Sequence, residues 1–142
     1  MARSWLRKLI SLTSRQQCFL ARASWHLGRA RIDFGRHSAK QIVETLRKAR
    51  TPAQAPVSAA DVALISWAIR TAASAVPWRS DCLIQSMAAD HWLRRLGVVP
   101  DFRLGVKAAP GGTLLAHAWI EVDGMVLTGG DATELYEVLI AG

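Results

Sequence analysis

Up to residue 96 the apolar positions recur at helical spacing, and after Gly97 they alternate. Residues 4–12 and 14–32 read as helical, the second stretch with apolar residues on several faces. Ser38 is a suitable cap for a third helix, in which Ala39, Ile42, Val43, Leu46 and Ala49 follow the i, i+3, i+4, i+7 pattern. The segment TPAQAPVS (51–58) holds two prolines and, apart from Val57, no large apolar anchor, the composition of a linker. Ser58-Ala59-Ala60-Asp61 has the form of a capping box with Asp in place of Glu. It opens a helix carrying Val62, Ile65, Ala68, Ile69 and Ala72, which Val76-Pro77-Trp78-Arg79 interrupts. Ser80 suits the N-cap of the next helix, predicted to run to about Leu96 with Gly97 as its stop.

Beyond Gly97 the period is two. Phe102, Leu104 and Val106 alternate, and Ala109-Pro110-Gly111-Gly112 reads as a turn. The strand Leu114–Val122 places His117, Trp119 and Glu121 on one face and Ala116, Ala118, Ile120 and Val122 on the other. Asp123-Gly124 is a two-residue hairpin signal, with Met125-Val126-Leu127 as the returning strand. Helices followed by an antiparallel sheet predict an α+β fold. The expected organisation is a basic helical region at 1–50, a linker at 51–58 and a core domain at 59–142.

Composition narrows the class. At 142 residues, 51% hydrophobic and 20% charged, the chain supports one domain with a real core, or a small domain with an extension. Six tryptophans suit buried aromatic packing or a peptide-binding groove. Two cysteines, Cys18 and Cys82, make no disulfide framework, and no apolar run approaches the roughly 18 residues of a membrane span. The start MARSWLRKLISL is interrupted by Arg7 and Lys8, so no signal peptide is expected and the cytoplasm is the default location. Charge is uneven: residues 1–50 hold 12 Lys/Arg against Asp33 and Glu44, whereas residues 51–142 hold 6 against 9 acidic residues. An acidic partner for the N-terminal third follows from that asymmetry, be it peptide, protein, nucleic acid or membrane surface. Arg15, Arg22, Arg29 and Arg36 recur every seven residues, so a continuous helix would align them as one solvated or docking stripe.

With Ser80 as N-cap, Cys82 would be the second helical residue, where free N–H groups and the helix dipole favour a thiolate. The same N–H groups could hold a tetrahedral oxyanion. Asp81 is accounted for as a charge favoured at the positive end of the dipole. A nucleophile needs a base. His26 and His37 lie in the basic segment, and His91 is nine residues along the helix, about 13 Å by rise. That leaves His117, mid-strand, which could meet the cysteine if the sheet packs on that helix. From the residues alone, Cys82 is either this nucleophile or a small buried hydrophobe, and Cys18, with no base nearby in sequence, is read as structural.

The run CLIQSMAADHWLRRLGVVPDFRLGVKAAPGGTLLAHAWIEVDGMVL, from Cys82, closely resembles the transglutaminase-like leader peptidases of bacterial lasso-peptide biosynthesis. The likeness rests on the Cys-Leu helix, Leu93-Arg94-Arg95-Leu96-Gly97-Val98, Leu104-Gly105-Val106 and above all His117-Ala118-Trp119-Ile120-Glu121-Val122-Asp123-Gly124. The resemblance implies a transglutaminase-like core, with the cysteine at a helix N-terminus packed on a small antiparallel sheet. It implies a papain-like cysteine protease that cuts the leader from a ribosomally made precursor, with Cys82 as nucleophile and His117 as general base and later acid. No cofactor or metal is implied. The implied partners are the precursor peptide, a PqqD-like leader-recognition protein and an asparagine-synthetase-like lasso cyclase; nucleic acid is not among them.

The family's acidic third member stands about a dozen residues after the histidine, where this chain has Gly129. A simple Asp123-Gly124 hairpin pairs Val122 with Met125 and sets Gly130 opposite His117. A one-residue bulge at Gly129-Gly130 would bring Asp131 opposite instead, so Asp131 is the expected third member. A Cys–His dyad oriented by a backbone carbonyl is the alternative. Trp78 and Trp119 are expected to line the substrate cleft, with core packing as the competing role for each. The competing functions are a binding module that uses the basic helices on peptide or nucleic acid, and a transglutaminase or acyltransferase with the same thiol chemistry.

Overall fold

Helix starts are set by side chains that take up the free N–H groups of the first turn. In the computed structural model, which describes residues 2–48, 57–130 and 136–141, five helices precede the sheet. They are α1 (Ala2–Ile10), α2 (Ser14–Arg36), α3 (Ala39–Arg47), α4 (Ala59–Ala75) and α5 (Cys82–Arg95). Thr13 with Gln16 and Ser38 with Gln41 form complete capping boxes for α2 and α3. Ser58 caps α4 by accepting from the Asp61 N–H at 3.1 Å.

The cap of α5 differs from expectation. Asp81, not Ser80, is the N-cap, its carboxylate accepting from the Ile84 N–H at 3.3 Å. A carboxylate gains from the positive helix end as well as from the hydrogen bond, so it outcompetes the hydroxyl. The Ser80 hydroxyl is buried without a hydrogen-bond partner among the described residues. Cys82 thereby becomes the first helical residue. At the other end Gly97 adopts φ +78°, with Val98 N–H donating to Leu93 O and Gly97 N–H to Arg94 O, the Schellman closure the glycine predicts.

The sheet comprises β1 (Asp101–Ala108), β2 (Leu114–Val122), β3 (Met125–Thr128) and β4 (Glu137–Ala141), in the order β3-β2-β1-β4 and antiparallel throughout. Asp123 and Gly124 both take positive φ, as a two-residue hairpin of this twist requires, and Val122 pairs with Met125 as expected. A bulge does occur in the returning strand, but at Leu127 rather than at the glycine pair. Glu121 faces Val126, Ile120 faces Thr128, and Leu127 is left out of register. The fourth strand, β4, lies beyond the hairpin read from the sequence and pairs with β1, which is far away in sequence.

Helix α5 packs on β2 and β3, and α2 packs on α4 and α5. One core results, with Leu27 from α2, Ile65 and Ile69 from α4, Ile84 and Leu93 from α5, and Phe102, Ile120 and Leu127 from the sheet. Each fully buried Leu or Ile stabilises the fold by about 1.5–3 kcal/mol relative to exposure. The fold is thus α+β, as expected, with the helical layer covering the Ala118–Ile120–Val122 face of β2. No described helix is long and apolar enough to cross a membrane.

The α2–α5 interface contains a polar pair. His26 is buried, stacked on Trp92 with ring centroids 5.1 Å apart, and its Nδ1 lies 2.9 Å from Nδ1 of His91. One imidazole must donate and the other accept, so the contact requires at least one neutral ring. Burial, then the His91, Arg95 and Arg22 charges, push His26 down to about 4. His91 is lowered by burial and then by Arg29 and Arg95. The unfolded chain takes up protons near the ordinary histidine value of about 6.5 that the folded chain refuses, so stability is lost as pH falls from there toward 4. Melting temperature should therefore drop between pH 7.5 and 5, and the drop should shrink in His26→Leu/His91→Leu; an equal drop in wild type and variant would refute the linkage.

Candidate active site

Cys82 opens α5 half-buried, with its side chain packed against the core. As the first helical residue it lies among N–H groups that the helix does not use itself. Its carbonyl accepts from the Ser86 hydroxyl at 2.8 Å, and that hydroxyl lies 3.3 Å from the hydroxyl of Thr128. Ser86 and Thr128 are both fully buried. The first turn of α5 is in this way tied to the end of β3.

The next residue, Gly129, carries the contact to the histidine. Its carbonyl accepts from His117 Nε2 at 2.5 Å. A carbonyl can only accept, so Nε2 bears the hydrogen, and in the neutral ring Nδ1 is the free lone pair. Gly129 has φ +95°, and a Cβ there would stand 2.7 Å from Trp119 Cβ and 2.8 Å from His117 Nε2. Only glycine fits both the backbone conformation and the close approach.

Around the imidazole the sheet supplies aromatic walls. Gly105 is paired with His117 across β1–β2, and a Cβ at that glycine would lie 2.8 Å from Tyr136 Cβ and 3.1 Å from the Trp119 ring. The missing side chain makes room for Tyr136, whose ring centroid is 4.8 Å from that of His117, and for Trp119 at 5.8 Å. Trp119 is itself held by its Nε1–H donating to Glu121 at 2.8 Å, with Arg103 3.0 Å from the other carboxylate oxygen. Lys107 covers Tyr136, its ammonium 4.7 Å from the ring centre.

Of the residues singled out from sequence, His117 and Trp119 are brought together, and Trp119 is both buried and beside the histidine. Trp78 is half-buried and packed on the core, its ring 3.5 Å from where a Cβ at Gly28 of α2 would stand. Asp131 lies outside the described residues. Among those residues the polar partner of the His117 ring is the Gly129 carbonyl, and no hydrogen bond joins Cys82 to His117. Cys18 is exposed on α2. Gly129, Tyr136, Ser86 and Thr128 are site residues beyond the candidates read from the sequence. Of these, only Gly129, in its Gly-Gly pair, carries a sequence signal; Gly105, within an alternating strand, carries another. No group of three or more His, Cys, Asp or Glu among the described residues is placed to hold a metal ion.

A family model described as the transglutaminase-like superfamily matches residues 20–141. No curated protein and no solved structure gives a match to the chain.

Gly129→Ala should destabilise the protein by about 1–3 kcal/mol, since it combines strained backbone with contacts under 3 Å to Trp119 and His117. Gly130→Ala, with positive φ but no atom within 4 Å of its Cβ, should cost less. Chemical denaturation of both variants checks the order, and equal losses would show that the His117 contact adds nothing.

Proposed function

Because the chain belongs to the transglutaminase-like superfamily, which includes cysteine proteases and acyltransferases, we propose that it is a cysteine endopeptidase that removes the leader from a ribosomally made lasso-peptide precursor. The observation that carries the reading is the Gly129 carbonyl on His117 Nε2, which leaves Nδ1 as a base in a chain whose other half-site is a cysteine at a helix start.

In this mechanism His117 Nδ1 takes the proton from Cys82 Sγ, and the thiolate attacks the scissile carbonyl carbon. The free N–H groups of the first turn of α5 hold the tetrahedral oxyanion. Collapse breaks the C–N bond, and the imidazolium returns its proton to the departing amine of the core peptide. Water, deprotonated by the same Nδ1, then attacks the thioester and releases the leader as a carboxylate, regenerating the thiol. The Gly129 carbonyl accepts from Nε2–H in both the neutral and the protonated ring, and so keeps the ring's orientation throughout. Asp131 remains the proposed third member, with a Cys–His dyad oriented by a backbone carbonyl as the alternative, which the Gly129 contact favours.

The partners follow the same reading: a PqqD-like protein that presents the leader, and an asparagine-synthetase-like cyclase that receives the freed core, in the cytoplasm. The superfamily also supports acyl transfer, in which an amine replaces water at the thioester. Both are read in one assay with precursor, recognition protein and added glycine methyl ester, followed by mass spectrometry. Free leader acid is expected; a leader–glycine ester adduct as the main product would favour the transferase. Cys82→Ala and His117→Ala should each lower the rate by about 1000-fold or more. Cleavage at the wild-type rate in folded Cys82→Ala would end the proposal.

A further inference from the structure

The arginine stripe of α2 and the histidine pair beneath it have no part in the chemistry at Cys82. α2 is one continuous helix, so Arg15, Arg22, Arg29 and Arg36 do share a stripe, but their surroundings differ. Arg15 pairs with Asp61 of α4, and Arg29 lies 3.4 Å from Asp33. Arg22 has no carboxylate partner among the described residues, and neither has Arg95 at the end of α5.

Between these two cations lies a groove of about 340 Å³, lined by Arg22, Trp25, His26, Trp92, Arg95 and Leu96. Trp25 is 52% exposed, a large apolar ring left open on a basic helix face. The Arg95 guanidinium sits 6.0 Å from its centre, which holds that charge at the groove rim. His26 closes the floor of the groove, its pKa lowered first by burial and then by the His91, Arg95 and Arg22 charges.

We propose that this groove docks an acidic peptide segment, with one carboxylate held between Arg22 and Arg95 and a neighbouring apolar side chain laid against Trp25 and Leu96. Guanidinium groups suit a carboxylate because their donors match its two oxygens, and an aromatic wall adds apolar contact that a solvated basic face lacks. A peptide is favoured over nucleic acid because the stripe is interrupted. Asp61 and Asp33 neutralise the cations on either side of Arg22, which leaves a short, two-charge site instead of a row that tracks phosphates. The assignment is independent of the chemistry at Cys82 and is read by binding alone.

The test is fluorescence anisotropy on the full chain at about 0.15 M salt, where long-range attraction between exposed charges is largely screened. The probes are a fluorescein-labelled octapeptide of Leu and Glu, the same peptide with Gln for Glu, and a labelled oligothymidylate. Saturable binding of the Glu peptide is expected, with the Gln peptide at least about tenfold weaker, as loss of one charge-assisted contact entails. Arg22→Gln/Arg95→Gln should weaken the Glu peptide by about tenfold or more, while Arg36→Gln, elsewhere on the stripe, changes it little. Both sets of arginines are exposed, so folding is not at issue. Absence of Glu-peptide binding, equal losses in the two variants, or tighter oligothymidylate binding lost in the double variant would each overturn the proposal.

Discussion

Three successive residues at the end of β3 tie the two layers of this protein together. Leu127, left out of register by the bulge, gives its carbonyl to the buried Ser66 hydroxyl of α4 at 2.6 Å. Thr128 turns its hydroxyl to Ser86 of α5, and Gly129 turns its carbonyl to His117 of β2. Buried hydroxyls and carbonyls are costly when unpaired, so each contact fixes the position of the element at its other end. The bulge is what lets neighbouring residues face different partners, since a regular strand would alternate between two faces only.

The consequence for the site is an imidazole oriented by backbone. A carbonyl selects the tautomer and the ring plane without bringing a full counter-charge, whereas a carboxylate brings both. Here the remaining orientation comes from the rings of Trp119 and Tyr136, which the absence of a side chain at Gly105 admits. Two glycines therefore shape the histidine's surroundings, one by its positive φ and one by the space it leaves. Cys82 is held by a different device, the Asp81 cap and the Ser86 bridge, and the two halves meet in structure at the Ser86–Thr128 contact.

Helix α2 serves two surfaces at once. Ala23, Leu27 and Ala30 enter the same core as the sheet, which places residues of the basic N-terminal third inside the folded unit. Its other face carries arginines whose partners decide their roles: those beside Asp61 and Asp33 are satisfied locally, while Arg22 is not. His26, between the two surfaces, packs on Trp92 and stays neutral because burial and the surrounding cations oppose its charge.

What could be read from the chain alone was mostly decided by near neighbours. Ser38, Ser58 and Gly97 mark helix ends because capping bonds span three to five residues. The alternation from Leu114 to Val122 and the Asp123-Gly124 turn specify a hairpin for the same reason. Cys82 and His117 stood out by position and by resemblance. Competition between close alternatives was less legible: Asp81 displaced Ser80 as a cap, and the bulge fell at Leu127 rather than at the glycines. Decided by tertiary structure were the pairing of β4 with β1, the Tyr136 ring beside the histidine, and which carbonyl orients it, a backbone carbonyl being an alternative the sequence left open. A carbonyl's direction and an edge strand's existence depend on partners many residues away, and no local pattern encodes a bond whose other half is supplied by folding.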